Sequence, residues 1–212
     1  MWRDFFDSKR MKKLDSEVLK MSLKISKVAA SLFSRKGYLE TTMDDIAHAA
    51  KISKGGIYYY FKSKPEVLYF ILNNHMDLVL GGLEDQLGRL KTGNEKLKYF
   101  VSRHIDQFCK NTNEAKNLTH ESHCLPSKYY NEILKKERKY YKMAFNILTE
   151  CCNGERDKNE LTVLTFLLFG MCNWNYYWYN KKGPITPIQL SDLICRTFQN
   201  VSEGRNRQTV DS

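Results

Sequence analysis

Proline is scarce, with four residues in a chain of 212. Sustained alternation of apolar and polar residues is missing, and so is any Asn-Gly hairpin signal. Half-buried strands need that alternation, so their absence argues against a β architecture and leaves an all-α chain. No internal repeat or low-complexity tract is visible. A phosphate loop, a nucleophile elbow, an HExxH run and a convincing acid–base pair are all lacking, which argues against an enzyme. None of the six cysteines, Cys109, Cys124, Cys151, Cys152, Cys172 and Cys195, forms a CxxC pair. Adjacent thiols such as Cys151 and Cys152 rarely bridge each other. The N-terminus, with Arg3, Asp4, Asp7, Lys9 and Arg10, is too charged for a secretory signal. Reduced thiols in a cytoplasmic protein are the expectation.

His120, His123 and Cys124 have the chemistry of zinc ligands, but no second cluster of Cys and His completes a site, so a polar segment before Pro126 is the plainer reading. No metal and no cofactor are expected. Formal charge is missing from Leu161–Asn180, a stretch long enough to cross a bilayer. Thr162, Thr165, Asn173, Asn175 and Asn180 dilute its apolar character, however, and the stretch stands alone. A buried or interface helix has the same look, and no membrane association is expected.

What is present is positive charge and helical spacing. The net charge is +10, and residues 1–66 hold 14 Lys and Arg against 8 Asp and Glu, an excess of +6 in the first third of the chain. Such a balance favours a polyanionic partner. Ile25, Val28, Ala29, Leu32 and Phe33 fall on one stripe of a helix over about Asp15–Lys36, closed by Arg35, Lys36 and Gly37. Residues 1–15 form a charged arm or an extension of that helix. Their cluster Lys9, Arg10, Lys12, Lys13 is either a solvated end or an arm on DNA.

Thr42 can cap a short helix Met43–Ala50, with Asp45 completing a capping box, and Ser53 can cap another over Lys54–Tyr60 after the break Lys51-Ile52-Ser53. Ser63-Lys64-Pro65-Glu66 reads as a further helix start. Helices are also expected at about Glu95–Lys110, Ser127–Cys152, Lys158–Tyr179 and Pro187–Ser202, the last with its own Thr186–Gln189 box. Two short helices joined by a three-residue turn have the proportions of a helix-turn-helix, whose second helix enters a major groove about 12 Å wide. Gly55 and Gly56 open that second helix at about 1 kcal/mol of helix propensity each, and they permit close approach to DNA. Tyr58 and Tyr59 can reach phosphates and thymine methyls.

Over Lys24–Leu72 the chain resembles the DNA-binding segment of the tetracycline-repressor (TetR) family. Ala29, Phe33, Gly37-Tyr38, Thr42, Ile46-Ala47, Ala50, Ser53-Lys54-Gly55, Tyr58, Phe61, Lys64 and Leu68 stand in register. The resemblance implies a three-helix DNA-binding domain over 16–66, a helical effector-binding and dimerisation domain over 67–203 and a disordered tail over 204–212. It implies a homodimer on double-stranded operator DNA, with Thr42, Ser53, Lys54, Tyr58 and Lys64 on phosphates and Gly55, Gly56 and Tyr59 at base edges. The family often has Thr, Ser or Ala in place of Gly56 and His in place of Tyr59, so its operator preference does not carry over.

The run from Phe169 to Phe198, with Asn173-Trp174, Trp178-Tyr179 and Gly183-Pro184, is similar to the C-terminal end of TetR-type regulators that respond to acyl-CoA thioesters. That likeness implies a repressor released by a small-molecule effector, an acyl-CoA. Phe100, His104, Phe108, Tyr141, Phe145, Trp174 and Trp178 are the candidate ligand contacts. A different hydrophobic effector is the alternative. An enzyme and a basic membrane-associated protein are the competing classes.

Overall fold

The computed structural model describes the backbone of residues 2–180 and 182–203, and side chains within 16–180 and 182–199. The expected tail over 204–212 and the side chains of Lys9, Arg10, Lys12 and Lys13 lie outside the described residues. Every regular element described is helical: α1 (Trp2–Lys36), α2 (Met43–Ala50), α3 (Lys54–Tyr60), α4 (Lys64–Leu80), α5 (Leu83–Arg89), α6 (Gly93–Lys110), α7 (Thr112–Glu121), α8 (Ser127–Cys151), α9 (Lys158–Asn173), α10 (Asn175–Trp178) and α11 (Pro187–Glu203), with a 3-10 turn at Ser122–Cys124. Of the two readings of the N-terminal stretch, the backbone takes the second, because α1 begins at Trp2.

The chain divides into two compact units. The first holds the chain up to Asn74 together with Lys116–Tyr130, and the second holds His75–Ala115 and the chain from Asn131 onward. The boundary expected at residue 67 therefore falls inside α4. Residues 116–130 join the first unit through both kinds of contact: the buried Asn117 amide donates to the Ala30 carbonyl (3.1 Å), the Lys116 ammonium donates to the Ser34 carbonyl (2.8 Å), and Tyr129 stacks on Tyr69 (4.4 Å). Hydrophobic periodicity carries no trace of the polar bonds among them.

In the first unit, α1 buries Ile25, Ala29, Ala30 and Phe33 on one stripe and ends where Gly37 (φ +91°) donates to the Phe33 carbonyl. That left-handed turn is one glycine adopts without strain. The Thr42 box forms in full: the Asp45 N–H donates to Thr42 Oγ1 (3.1 Å) and the Thr42 N–H to Asp45 Oδ2 (2.9 Å). The α4 box forms differently from the expected reciprocal pair. Glu66 N–H still donates to Ser63 Oγ (3.4 Å), but the Glu66 carboxylate accepts from Lys62 N–H (2.7 Å), one residue before the cap.

In the second unit, α6 starts at Gly93 because Thr92 and Glu95 make a box of their own. The helix expected over Lys158–Tyr179 breaks at Trp174. Asn175 Nδ2 donates to the Cys172 carbonyl (2.7 Å), and a side chain bonding a helix carbonyl offers the backbone an alternative to continuing the ladder. Phe100 stacks on Tyr140 (4.7 Å) and His104 on Phe108 (4.1 Å), with Phe169 tilted against Tyr140 (5.5 Å). His104 Nδ1 lies 2.9 Å from the Tyr140 hydroxyl. Among the described residues, neither ring nitrogen of the buried His75 has a hydrogen-bond partner.

Burial holds the His75 imidazolium down to about 4 and that of His104 to about 3, so both rings are neutral in the fold. The unfolded rings, at about 6.5, take up protons first as pH falls. Stability is therefore complete above pH 6.5 and declines from there toward pH 4, each histidine adding up to about 1.4 kcal/mol per pH unit. Denaturant melts at pH 7.5, 6.5 and 5.5 should show this decline. His75→Phe should leave stability at pH 7.5 unchanged or raised and make the acid decline shallower; an unaltered decline overturns the assignment.

Candidate nucleic-acid interface and effector cleft

The seven residues of α3 bury one side chain fully, Ile57, against the first unit's core. Every other residue of the helix keeps some exposure, and Tyr59 is 61 % exposed. Gly55 is exposed too, and a Cβ added there meets nothing within 4 Å. Nothing inside the protein thus requires glycine at that position. Gly56 differs: an added Cβ would lie 3.1 Å from Ser53 Oγ, the atom that accepts the Gly56 N–H (3.0 Å) and caps the helix. Gly56 therefore keeps room for its own cap.

The turn before α3 is closed by Lys51 in the left-handed conformation (φ 59°), with Lys51 N–H donating to the His48 carbonyl and Ile52 N–H to that of Ala47. Lys54, at the start of α3, pairs with Asp44 at the start of α2 (2.9 Å). Both are exposed, so the pair contributes little to stability, and its partners are open to exchange. Lys36 reaches Asp45 (2.8 Å), and this ion pair with the Thr42 bonds holds the Asp45 carboxyl down to about 2. The capping carboxylate therefore stays ionised at any ordinary pH.

Of the eight residues expected on DNA, Thr42, Ser53, Lys54, Tyr58 and Tyr59 are exposed with Gly55, and Gly56 is partly so. Lys64 is committed elsewhere. Its ammonium donates to the carbonyls of Tyr38 (2.9 Å), Leu39 (3.1 Å) and Thr41 (2.8 Å) and sits 4.5 Å from the Tyr38 ring centre. Three donors are all an ammonium has. In this structure Lys64 ties α4 to the loop between α1 and α2, rather than facing outward with a free N–H. Burial pushes the Tyr38 phenol up to about 12, so the ring under the ammonium stays neutral.

The candidate effector residues divide into two groups. Phe100, His104 and Phe108 are buried in the ring stack, and Tyr141 and Phe145 lie at its edge, Tyr141 being 5.3 Å from Phe166 and 6.4 Å from Phe145. Trp174 and Trp178 stand apart from that stack. Each is more than half exposed, and Trp174 stacks on Tyr177 (5.3 Å) instead. A cleft of about 400 Å³ opens beside the stack, lined by Phe108, Cys109, Thr112, Asn175, Tyr176, Tyr179, Asn180 and Lys182. Phe108 is the one residue singled out for ligand contact that reaches it. The sequence reading missed the others; Asn175, a polar residue in an apolar run, was the one signal that could have found them. Among the described residues no group of three His, Cys, Asp or Glu is placed to hold a metal ion; Cys124 Sγ lies 3.4 Å from His123 Nε2. None of the described helices is long and apolar enough to cross a membrane.

Residues 25–68 match the family model described as bacterial regulatory proteins of the tetR family, and residues 90–201 match the tetracyclin repressor-like C-terminal domain. The chain belongs to the TetR family. The HTH-type transcriptional repressor KstR2 of Mycolicibacterium smegmatis is 29 % identical over 173 residues, 77 % of this chain and 81 % of that protein. The fatty acid metabolism regulator protein of Bacillus subtilis is 27 % identical over 144 residues, 66 % of this chain and 73 % of the relative. The crystal structure of AibR in complex with isovaleryl coenzyme A and operator DNA has the same fold, with a TM-score of 0.74 at 24 % identity over 84 % of this chain and 97 % of that one. This TetR-family chain is a DNA-binding transcriptional repressor and not an enzyme.

For the repressor, Gly55→Ala should raise thermal stability by about 1 kcal/mol, since alanine is the better helix former and its methyl group meets open space. The same change should weaken operator binding about tenfold, read by fluorescence anisotropy. Unchanged affinity would show that DNA does not approach Gly55. Lys64→Met should cost roughly 2 kcal/mol in a denaturant melt through the lost charge-assisted bonds. A Lys64→Met protein as stable as the parent, but weaker on DNA, would restore Lys64 as a phosphate contact.

Proposed function

We propose that two copies of this chain hold an operator through α3, with Gly55, Gly56 and Tyr59 at base edges and Thr42, Ser53, Lys54 and Tyr58 on phosphates. An acyl-CoA bound in the second unit releases them. The DNA half of the reading is carried by α3, which gives one side chain to the core and offers the rest to a partner. Its charge suits that partner, since most of the chain's positive excess falls in residues 1–66.

Pairing of two copies is supported by α9. Val163, Phe166, Leu167, Met171 and the following Trp174 recur at helical spacing and are all exposed, Phe166 at 64 %. On α11, Ile188 and Leu193 are exposed as well. A stripe of large apolar side chains of this kind is costly in water and suits a self-complementary interface.

The effector half is supported by an apolar cleft beside a stack of rings, a common form of small-molecule site. The names of two similar proteins point to the ligand class. One regulates fatty acid metabolism, and the other was crystallised with isovaleryl coenzyme A and operator DNA. Release follows from linkage: the acyl-CoA must bind the DNA-free form more tightly than the DNA-bound form, by about 1.4 kcal/mol for each tenfold loss of operator affinity.

The test is anisotropy on duplex DNA from upstream of the repressor's own gene, with and without a series of acyl-CoAs. Wild type should prefer that duplex over random sequence, with affinity falling steeply as salt rises. Tyr58→Ala should weaken binding to every duplex alike. Acyl-CoA should release the DNA, and a series of chain lengths without release sinks the effector assignment. Phe166→Glu should give a folded monomer on sizing chromatography with at least tenfold weaker operator binding; a dimer that survives this change excludes α9 as the interface.

A further inference from the structure

The positive excess of the first third of the chain is not spread evenly. Residues 9–27 hold seven Lys and Arg against two Asp and Glu, whereas residues 28–66, which carry α2 and α3, hold six against four. Several cations of that second stretch are engaged within the protein. Lys36 pairs with Asp45, Lys54 pairs with Asp44, and Lys64 holds three loop carbonyls. Lys20, Lys24 and Lys27 on α1 differ. All three are exposed, and their spacing of 4 and 3 residues puts them on one face of the helix, opposite the buried Ile25, Ala29 and Phe33. No ion pair among the described residues engages their ammonium groups.

The register of α1 carries that face further. Its backbone helix starts at Trp2 without a break, and five turns of helix take 18 residues. Lys9 stands 18 residues before Lys27, and Lys13 stands 7 before Lys20, so both positions fall on the same side. Asp4, Asp7 and Asp15 stand 18 residues before Ser22, Ile25 and Phe33, which are all buried, and so fall on the opposite side. Glu17 is a carboxylate that borders the lysine face. Positive charge is thus sorted onto one side of a single helix over about 27 Å. A merely solvated end needs no such sorting.

Resting on the operator reading above, we infer that the lysine face of α1 is a second DNA-binding surface, one that holds the phosphate backbone without reading bases. Ammonium groups are point charges suited to phosphate, and contacts to phosphate carry no sequence information. DNA fits this face better than an anionic membrane does. A helix lying on a bilayer sinks an apolar face into it, and the apolar stripe of α1 is occupied by the first unit's core. In this arrangement α3 supplies the choice of sequence, and α1 supplies much of the charge that keeps the repressor on the duplex.

The experiment is fluorescence anisotropy of the full-length repressor over a range of salt, on the upstream duplex and on a random duplex of equal length. The triple variant Lys20→Gln, Lys24→Gln, Lys27→Gln changes exposed positions alone and should melt as wild type does. It should flatten the fall of log affinity with log salt by about 0.9 for each lysine, or roughly 3 per protomer. Both duplexes should bind at least tenfold more weakly at moderate salt, with the preference between them unchanged. Lys9→Gln with Lys13→Gln should flatten the slope by about 2 per protomer, and it keeps the test open where the triple variant fails to fold. Unchanged slopes in every variant that folds overturn the inference. A loss confined to the upstream duplex also overturns it, because α1 would then act by seating α3. If wild type prefers the upstream duplex and the variants keep its slopes, the operator reading stands and this surface falls. If wild type shows no preference but the variants flatten the slopes, the surface stands and the operator reading falls. Co-sedimentation with phosphatidylglycerol vesicles, lost in the triple variant while its DNA slopes match wild type, assigns the face to a membrane and sinks the inference.

Discussion

A seven-residue helix does not hold itself together in water, because nucleation is unfavourable and so few hydrogen bonds cannot recover its cost. In this repressor α3 must nevertheless stand firm while giving almost none of its surface to the core. Ile57 is its fully buried anchor, and the Ser53 hydroxyl satisfies one of its open N–H groups. The rest of its rigidity comes from neighbours. The Thr42–Asp45 box fixes the start of α2, and Lys51 turns the chain through a left-handed conformation into α3. Much of the first unit is thus arranged so that a short, glycine-fronted helix remains exposed without melting.

Lys64 shows how the same demand reaches further along the chain. A lysine just ahead of a proline, in the first turn of α4, looks in sequence like a free cation near the DNA. In the fold its ammonium gathers three carbonyls from the loop between α1 and α2 and lies over the Tyr38 ring. Loop carbonyls in a half-buried place need donors, and an ammonium on a four-carbon stem reaches three of them at once. A positive charge can therefore serve the binding surface by shaping it as well as by touching phosphate. Only the partners of the side chain distinguish the two roles, and those lie 23 to 26 residues away in sequence.

That distance also separates what was legible in the sequence from what was not. Caps and periodic stripes are local, and Thr42, Ser53, Thr186 and the Ile25–Phe33 stripe mark their helices as read. The fold class follows from such signals, and the DNA-binding segment from these together with the resemblance in register over Lys24–Leu72. The polar cross-links are not local. Asn117 and Lys116 draw residues 116–130 into the first unit through bonds to α1 more than 80 residues away, and no pattern of apolar spacing registers them. The exposed face of α9 was half legible: an uncharged run is equally the mark of a span, a core helix and an interface, and exposure decides among these. The cleft was the least legible of all, because its aromatic residues look like any core and just one of the seven ligand candidates, Phe108, lines it.

Asn175 sets the break between α9 and α10. Had the helix continued through Trp174, the Cys172 carbonyl would have bonded a backbone N–H one turn on, and Asn175 would have had no cause to point its amide nitrogen there. Because the side chain takes that carbonyl instead, the helix ends, α10 sets off anew with Tyr176 beside it, and the amide oxygen is left over as an acceptor. One residue thus ends the helix and leaves its own amide oxygen without a partner among the described residues. Local backbone competition of this kind is normally a defect in a helix interior.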